Sequence, residues 1–441
     1  MRTVKINLQE FSNRMVTLGQ SQAKMILVQT ETKESVFTGL QVENIWEAAK
    51  ALGFPAALWR LPQTSEIKLL ISIREGITRT QPDFEKLSSG FIISPFLALE
   101  NDDVFLMQGD IIVSFLETNL ITRVENHLGE EHPEVIKLIS LANTIAAESK
   151  PESSRSSMLI GVVLPDEDSK DRFKRTVELG VTAVKQNDLK KIVLSRTKEL
   201  SYNEDQFQPA KAFLKLAKAY PHAFVSLVNL PDQKELWLGA SPETLVEQKS
   251  NGIFKTMSLA GTQKARNEHG EIMPKYDIRW GQKEIEEHAL VSRYIVECFK
   301  KIRLREYKET GPKTFLAGNV YHLKTEFEVD TVALNFPELP NLMLNLLHPT
   351  SAVCGEPKIS ALKFLSEVEG YDRSFYSGFL GPVQVEGESN IYVNLRTVRL
   401  KGGKATFYAG AGITEDSLPD REWEETEMKC DTLLKVIAND M

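Results

Sequence analysis

Two segments carry a pair of glutamates three residues apart at the head of an amphipathic stretch. Residues 283–302 read KEIEEHALVSRYIVECFKKI. At about 100° per residue, Glu284, Glu287, His288, Val291, Ile295, Cys298 and Ile302 share one stripe of a helix. Most of that stripe is apolar, so both carboxylates sit at the N-terminal end of an inward face. Residues 419–437 read PDREWEETEMKCDTLLKVI. Pro419 suits a first helical turn, and Glu422, Glu425, Thr426, Lys429, Leu433 and Val436 share a face. One such pair is ordinarily a solvated helix face or a favourable charge near a helix N-terminus. Two pairs that both run into inward stripes need compensating charge, and a hard cation supplies it. Mg²⁺ takes oxygen ligands and commonly binds one or two carboxylates together with an anionic substrate. No His or Cys cluster points to a softer metal.

Other groups have the chemistry to act on a small anion. KATFYAGAGI reads as a strand, and YAGAGIT (408–414) ends it with two glycines one residue apart; a tight turn is the ordinary reading, and a loop that aims backbone N–H groups at an anion the chemical one. It does not continue to G-x-G-x-x-G before a helix, and no G-x-x-x-x-G-K-[ST] occurs, so neither a dinucleotide site nor a P-loop is expected. Arg396 lies in NIYVNLRTVRL, read as one strand of alternating faces, and can clamp a carboxylate through two hydrogen bonds. Lys190 and Lys191 open the strand KIVLSR and must point to opposite faces, so one of them faces inward. Glu243 follows a strand and a Ser-Pro turn in GASPETLV. His348 lies in the proline- and glycine-rich loop LLHPTSAVCGEP.

The chain must hold these groups with a core of ordinary size. Its 441 residues include 42% hydrophobic and 26% charged residues, a globular balance. The net charge of −8 argues against a nucleic-acid binder but leaves room for a local positive site. Cys298, Cys354 and Cys430 are odd in number and far apart, as in a reducing cytoplasm. The N-terminal MRTVKINLQEF lacks the apolar core of a signal peptide, and no apolar run is long enough to span a membrane. Residues 1–150 are read as a β-rich region packed on the catalytic part, with strands at MILVQT, AALWRL, LLISI and GFIISPFLAL and a helix at HPEVIKLISLANTIAAES. The polar KPESSRSS (150–157) is the candidate linker, and 158–441 the catalytic domain. There a helix over 168–185 leads into KIVLSRTKEL, and the strands AFVSLVNL, ELWLGA and GIFKTMSLAGT follow closely. Strands that arrive as neighbours suggest α+β with largely antiparallel sheets.

Ten segments, in this order, resemble the chorismate-utilising, anthranilate synthase component I-like enzymes, a family of isochorismate, salicylate, anthranilate and aminodeoxychorismate synthases. They are KIVLSR (191–196), GASPETL (239–245), SLAGT (258–262), KEIEEH (283–288), VYHLKT (320–325), LHPTSAVCGEP (347–357), YSGFLGP (376–382), VNLRT (393–397), YAGAGI (408–413) and EWEETEMK (422–429). The match covers about 160–440; one departure is Ser351, where relatives commonly have proline. The resemblance implies two large, mostly antiparallel sheets with helices packed outside and a cleft that binds chorismate. It assigns Glu287 and Glu425 as Mg²⁺ ligands, with Glu284 and Glu422 acting through water or in support. It implies that Arg396, Tyr376 and the backbone at Gly410 and Gly412 receive the enolpyruvyl carboxylate. His348 and Thr262 would line the ring, and Ala260, Gly261 and Lys429 complete the substrate-binding set.

The family's branches differ at a few positions. Those that add water carry a lysine before V-L-[SA]-R, here Lys191. One aminating type carries a nucleophilic lysine just before the G-T of the AGT motif, where this chain has Ala260. Both differences imply water as the nucleophile, and the first reading is an isochorismate synthase, an isomerase in which water attacks ring C2 and the C4 hydroxyl leaves. Lys191 as the base must be uncharged, and Glu243 as the acid must stay protonated near pH 7, above the ordinary carboxylate range. Salicylate synthase, with pyruvate elimination added, is the alternative. An aminating subunit that needs a glutaminase, or a non-catalytic binding protein, stands further off. The product would feed menaquinone or a siderophore; no obligatory glutaminase, nucleic acid or membrane partner is expected.

Overall fold

The computed structural model describes residues 36–97, 103–148, 161–163, 168–318 and 320–438. The chain divides into two compact units, Met1–Gly39 and Leu40–Met441. Of the first, only the turn over 36–39 is described. The strand expected at 25–30 and the linker expected at 150–157 lie outside the described residues.

The second unit is built on two sheets whose described strand pairings are all antiparallel. The first runs Gly355–Glu356, Lys191–Tyr202, Lys404–Ile413, Thr397–Lys401, Glu235–Ser241, Phe224–Leu230, Ala56–Arg60, Glu66–Ile71, Ile111–Leu116 and Ile121–Asn126, with Gly161–Val163 also paired to Lys191–Tyr202. The second runs Lys308–Ala317, Val320–Asp330, Ile253–Lys264, Thr244–Gln248, Ser389–Val393, Phe379–Val383, Gly90–Ser94, Val104–Gln108 and Ile77–Thr80. Strands from the first 130 residues complete both sheets. Ala56–Arg60 pairs with Phe224–Leu230, and Gly90–Ser94 with Phe379–Val383.

Period-two alternation sorts the side chains into two cores. Phe91 and Ile93 join Trp59, Phe224, Trp237 and Tyr408 where the two sheets face each other. Ile92 points the other way, into a core shared with Tyr294, Phe299 and Leu344 of the covering helices. In Lys191–Tyr202 the same rule sends Ile192 and Leu194 against Phe173 and Val177 of the helix Ser169–Lys185. Lys191 and Val193 are thereby turned towards the second sheet. The helices Gln282–Lys301 and Pro419–Ile437 head the two glutamate pairs, within two residues of the expected bounds. Among the described residues no helix is long and apolar enough to cross a membrane.

One expected element is two. NIYVNLRTVRL is not a single strand: Ser389–Val393 belongs to the second sheet and Thr397–Lys401 to the first. The chain changes sheets at 394–396, where Arg396 takes a left-handed φ of 49°. Asn394 fixes the turn by donating from Nδ2 to the Phe375 carbonyl at 2.9 Å. A second crossover joins Glu235–Ser241 of the first sheet to Thr244–Gln248 of the second, through Pro242 and Glu243. The two crossovers are bonded together. Ala240 N donates to Arg396 O at 2.9 Å, Val393 N to Glu243 O at 3.0 Å, and Ser241 Oγ to Val393 O. Glu243 and Arg396 thus sit in the seam between the sheets.

Candidate active site

A pocket of about 60 Å³ opens in that seam. Its wall holds ten of the residues singled out from the sequence: Glu243, Ala260, Gly261, Thr262, Glu287, Tyr376, Arg396, Gly410, Gly412 and Lys429.

Lys191 is 1% exposed, whereas the Lys190 side chain is 62% exposed, so Lys191 is the inward one. Its Nζ lies 2.9 Å from Glu287 Oε1, an ion pair without the alignment of a hydrogen bond. Both side chains press on Gly412: a Cβ there would come within 2.9 Å of Lys191 Cε and 2.3 Å of Glu287 Oε1. At Gly410 it would stand 3.1 Å from the Tyr376 hydroxyl. These glycines are therefore not in an anion-binding loop, as their spacing had suggested. They lie inside the strand Lys404–Ile413, paired with Val193 and Ser195, and what they provide is room. Gly261 is different. It has φ of 74° and sits where the register of Ile253–Lys264 against Val320–Asp330 slips, a bulge between Ala260 and Thr262.

Glu243 is 3% exposed. Burial pushes its carboxyl up to about 8, although Lys191, Arg396 and Lys429 all pull the other way. It is a carboxyl that keeps its proton at neutral pH. Arg396 is also buried, makes no ion pair among the described residues, and leaves Nε without a partner. A buried guanidinium in that condition has the free donors that a carboxylate could accept from. Its Nη2 lies 3.2 Å from His322 Nε2, and His322 Nδ1 lies 2.8 Å from the Gly261 carbonyl. Burial, then Arg396 and Lys429, hold His322 down at about 3, so the ring is neutral. Nδ1–H then donates to Gly261 and Nε2 accepts from Arg396, which fixes the tautomer.

Among the described residues, no three His, Cys, Asp or Glu side chains converge closely enough to hold a metal by themselves. Glu287, Glu422 and Glu425 are each matched by a lysine: Glu287 by Lys191, Glu422 by Lys283 at 2.5 Å, and Glu425 by Lys429 at 2.6 Å. Glu284 is half-buried and caps its helix, accepting from Gly281 N at 2.8 Å. Burial and the charge of Glu425 raise the Glu422 carboxyl, while Glu425, against its own burial, is held low by Lys429 and Lys283. Glu422 is 1% exposed and its Oε2 has no hydrogen-bond partner. An orphaned, buried carboxylate oxygen is an unsatisfied ligand atom of the kind a hard cation takes.

His348 does not line the pocket. Its Nε2 lies 3.1 Å from the Pro95 carbonyl and its ring packs edge-on against Phe379, so it is a satisfied structural histidine. His322 stands at the pocket instead. The register pairs it with Thr262 across the two strands, and its segment VYHLKT was already among the motifs. Lys283 was also missed: its partner Glu422 comes from another helix, 139 residues away, and no local spacing signals that pair.

Residues 105–438 match the family model for chorismate binding enzymes, so the chain belongs to the chorismate-binding enzyme family. Among similar proteins, the vibriobactin-specific isochorismate synthase of Vibrio cholerae is 27% identical over 297 residues, covering 67% of this chain and 74% of the relative. Isochorismate synthase EntC of Escherichia coli is 30% identical over 261 residues, covering 58% and 64%. The solved structure of MenF, the menaquinone-specific isochorismate synthase of Escherichia coli, superposes with a TM-score of 0.68 at 20% identity, covering 90% of this chain and 92% of that one. The fold is that of these enzymes.

Proposed function

We propose that this chain is an isochorismate synthase: it isomerises chorismate by adding water at ring C2 and expelling the C4 hydroxyl. The observation that carries the reading is the pairing, beside one pocket, of the buried amine Lys191 with the buried carboxyl Glu243, which is held protonated up to about 8. Lys191 must enter the reaction as the free amine, and in this reading takes a proton from the attacking water. As the C2–O bond forms, the ring double bonds shift and the C4–O bond breaks. Glu243 delivers its proton to the departing hydroxyl, so water leaves and the sum is an isomerisation. Arg396, positioned by neutral His322, receives the enolpyruvyl carboxylate. Ala260 supplies no amine to compete with water.

The cofactor in this reading is Mg²⁺, held by Glu287 and Glu425 with Glu284 and Glu422 in support. When bound, it neutralises the substrate's ring carboxylate and withdraws charge from the ring. The charges support this. With Lys191 as the free amine, three carboxylates face three cations, Lys283, Lys429 and Arg396, so a divalent cation and a dianionic substrate can enter together without leaving net charge behind. Three buried free cysteines support a reducing, cytoplasmic setting. By their names one relative is vibriobactin-specific and another menaquinone-specific; we favour menaquinone over a siderophore as the more general use.

The deciding experiment incubates the purified chain with chorismate and Mg²⁺, without ammonia, and separates the products. A reversible chorismate–isochorismate mixture is expected. Salicylate with stoichiometric pyruvate moves the activity to a salicylate synthase with the same base and acid. Anthranilate formed only with ammonia overturns the role of Lys191.

A further inference from the structure

The pocket in the seam holds about 60 Å³, well below the roughly 300–1,000 Å³ usual for small-molecule sites. A second cavity, of about 300 Å³, adjoins it. The two share two lining residues, Pro242 and Arg396. The larger cavity runs from an exposed rim to a buried floor. His222, Arg266 and Ile272 on the rim are exposed, whereas Ala223, Ala317 and Arg396 deeper in are buried. Its positive charge lies at both ends. Arg266 is at the mouth, with Nη1 bonded only to a backbone carbonyl, that of Gly270, and with no ion pair among the described residues. Arg396 is at the bottom with Nε unpartnered.

From this arrangement we infer that the larger cavity is the antechamber through which a small dicarboxylate reaches the catalytic pocket: Arg266 attracts it at the mouth, and Arg396 receives it at the boundary. This rests on the reading of Arg396 as a carboxylate receptor for chorismate. The physics favours the route in two ways. A cation at the rim of a low-dielectric cleft raises the local concentration of an anion and its rate of arrival. Arg396 faces both spaces, so a carboxylate can pass inwards without losing its counter-charge, which would be costly at that depth.

The test measures binding rates, by stopped-flow tryptophan fluorescence of the full chain mixed with chorismate and Mg²⁺. Ala317→Phe narrows the antechamber without touching the catalytic pocket. It is expected to slow association and dissociation together by at least about tenfold, while Kd moves by less than about threefold. Arg266→Glu is the gentler companion and leaves the buried wall alone. It is expected to lower the association rate about three- to tenfold at low salt, with the difference closing near 1 M salt, where charges are screened within about 3 Å. Arg175→Glu makes the same change of charge on the exposed face of an outer helix and should leave the rate unchanged. If association is as fast in Ala317→Phe as in the wild type, or if Arg175→Glu slows it as much as Arg266→Glu, the antechamber is not the route. Failure of the wild-type chain to bind chorismate at all would instead refute the function on which the inference rests, so the two failures are distinct.

Discussion

Replacing Glu243 by Gln should abolish the reaction and stabilise the protein, and the second effect has a definite pH signature. The ordinary value of 4.5 applies in the unfolded chain, and burial lifts the folded value to about 8. For an acid shifted upward, the folded state binds the proton more tightly. No stability is forfeited below about pH 4.5, and the loss grows until pH passes about 8. At about 1.4 kcal/mol per unit, the loss is below ~1 kcal/mol at pH 5, roughly 3 kcal/mol at pH 7 and approaches ~5 kcal/mol above pH 8. Gln keeps the shape and never ionises, so the variant should escape that loss. An unfolding entropy of about 2.1 cal/mol/K per residue over 441 residues converts roughly 3 kcal/mol into about 3 °C at pH 7. The assay is thermal unfolding of both proteins at pH 5, 7 and 8, with isochorismate formation measured alongside. Turnover should fall at least ~100-fold, while the gap in Tm widens with pH. A gap that stays constant from pH 5 to 8 would show that Glu243 is not a buried, protonated carboxyl, whatever its effect on rate.

Lys191→Ala should lose at least ~100-fold in rate, while Lys190→Ala, which removes a 3.6 Å pair with Glu356 at the surface, should be nearly silent; comparable losses would contradict the assignment of the base. Mg²⁺ and chorismate should each tighten the other's binding by at least ~10-fold, because either one alone upsets a balanced set of charges and coupling is reciprocal; calorimetry with each ligand in the presence and absence of the other checks this, and independent binding would refute it. Arg396→Lys should raise the chorismate KM by ~10- to 100-fold, from the loss of about 1.5–3 kcal/mol of charge-assisted bonding. Glu425→Ala should lose Mg²⁺-dependent turnover while circular dichroism stays that of the wild type, and unchanged activity would remove it from the metal set.

Period-two and period-3.6 patterns made most of the framework legible. That one of Lys190 and Lys191 faces inward, the inward stripes behind Glu287 and Glu422, and the antiparallel class follow from alternation and spacing; which lysine it is came only from the family resemblance. Two things were not legible for a physical reason. NIYVNLRTVRL is apolar on both sides of Arg396, so the break between sheets hides inside continuous hydrophobicity. Its trace is a change of parity, with Leu395 and then Val398 and Leu400 carrying the pattern. The glycines of YAGAGI read as a loop because backbone freedom is glycine's usual use. The demand at Gly410 and Gly412 comes instead from Tyr376, Lys191 and Glu287, which arrive from distant parts of the chain. The exchange of His348 for His322 has the same origin. Each histidine sits in a recognisable segment, and only the packing of Pro95 and Phe379 about the one and of Arg396 about the other separates them.

The bonding between the two crossovers has a consequence for how the site can be made. Ser241 and Val393 are 152 residues apart, and the Glu243 carbonyl is held by Val393 N. The acid's surroundings are therefore unfinished until the segment 389–401 has been synthesised and has stepped from one sheet to the other. No N-terminal fragment ending before that segment can carry a buried, protonated Glu243, however well its own strands pair. A split protein divided between 264 and 282 would leave Lys191 and Glu243 in one part and the four glutamates, with Lys283 and Lys429, in the other. Activity in such a system would report reassembly of the seam itself, because neither half could perform any part of the chemistry alone.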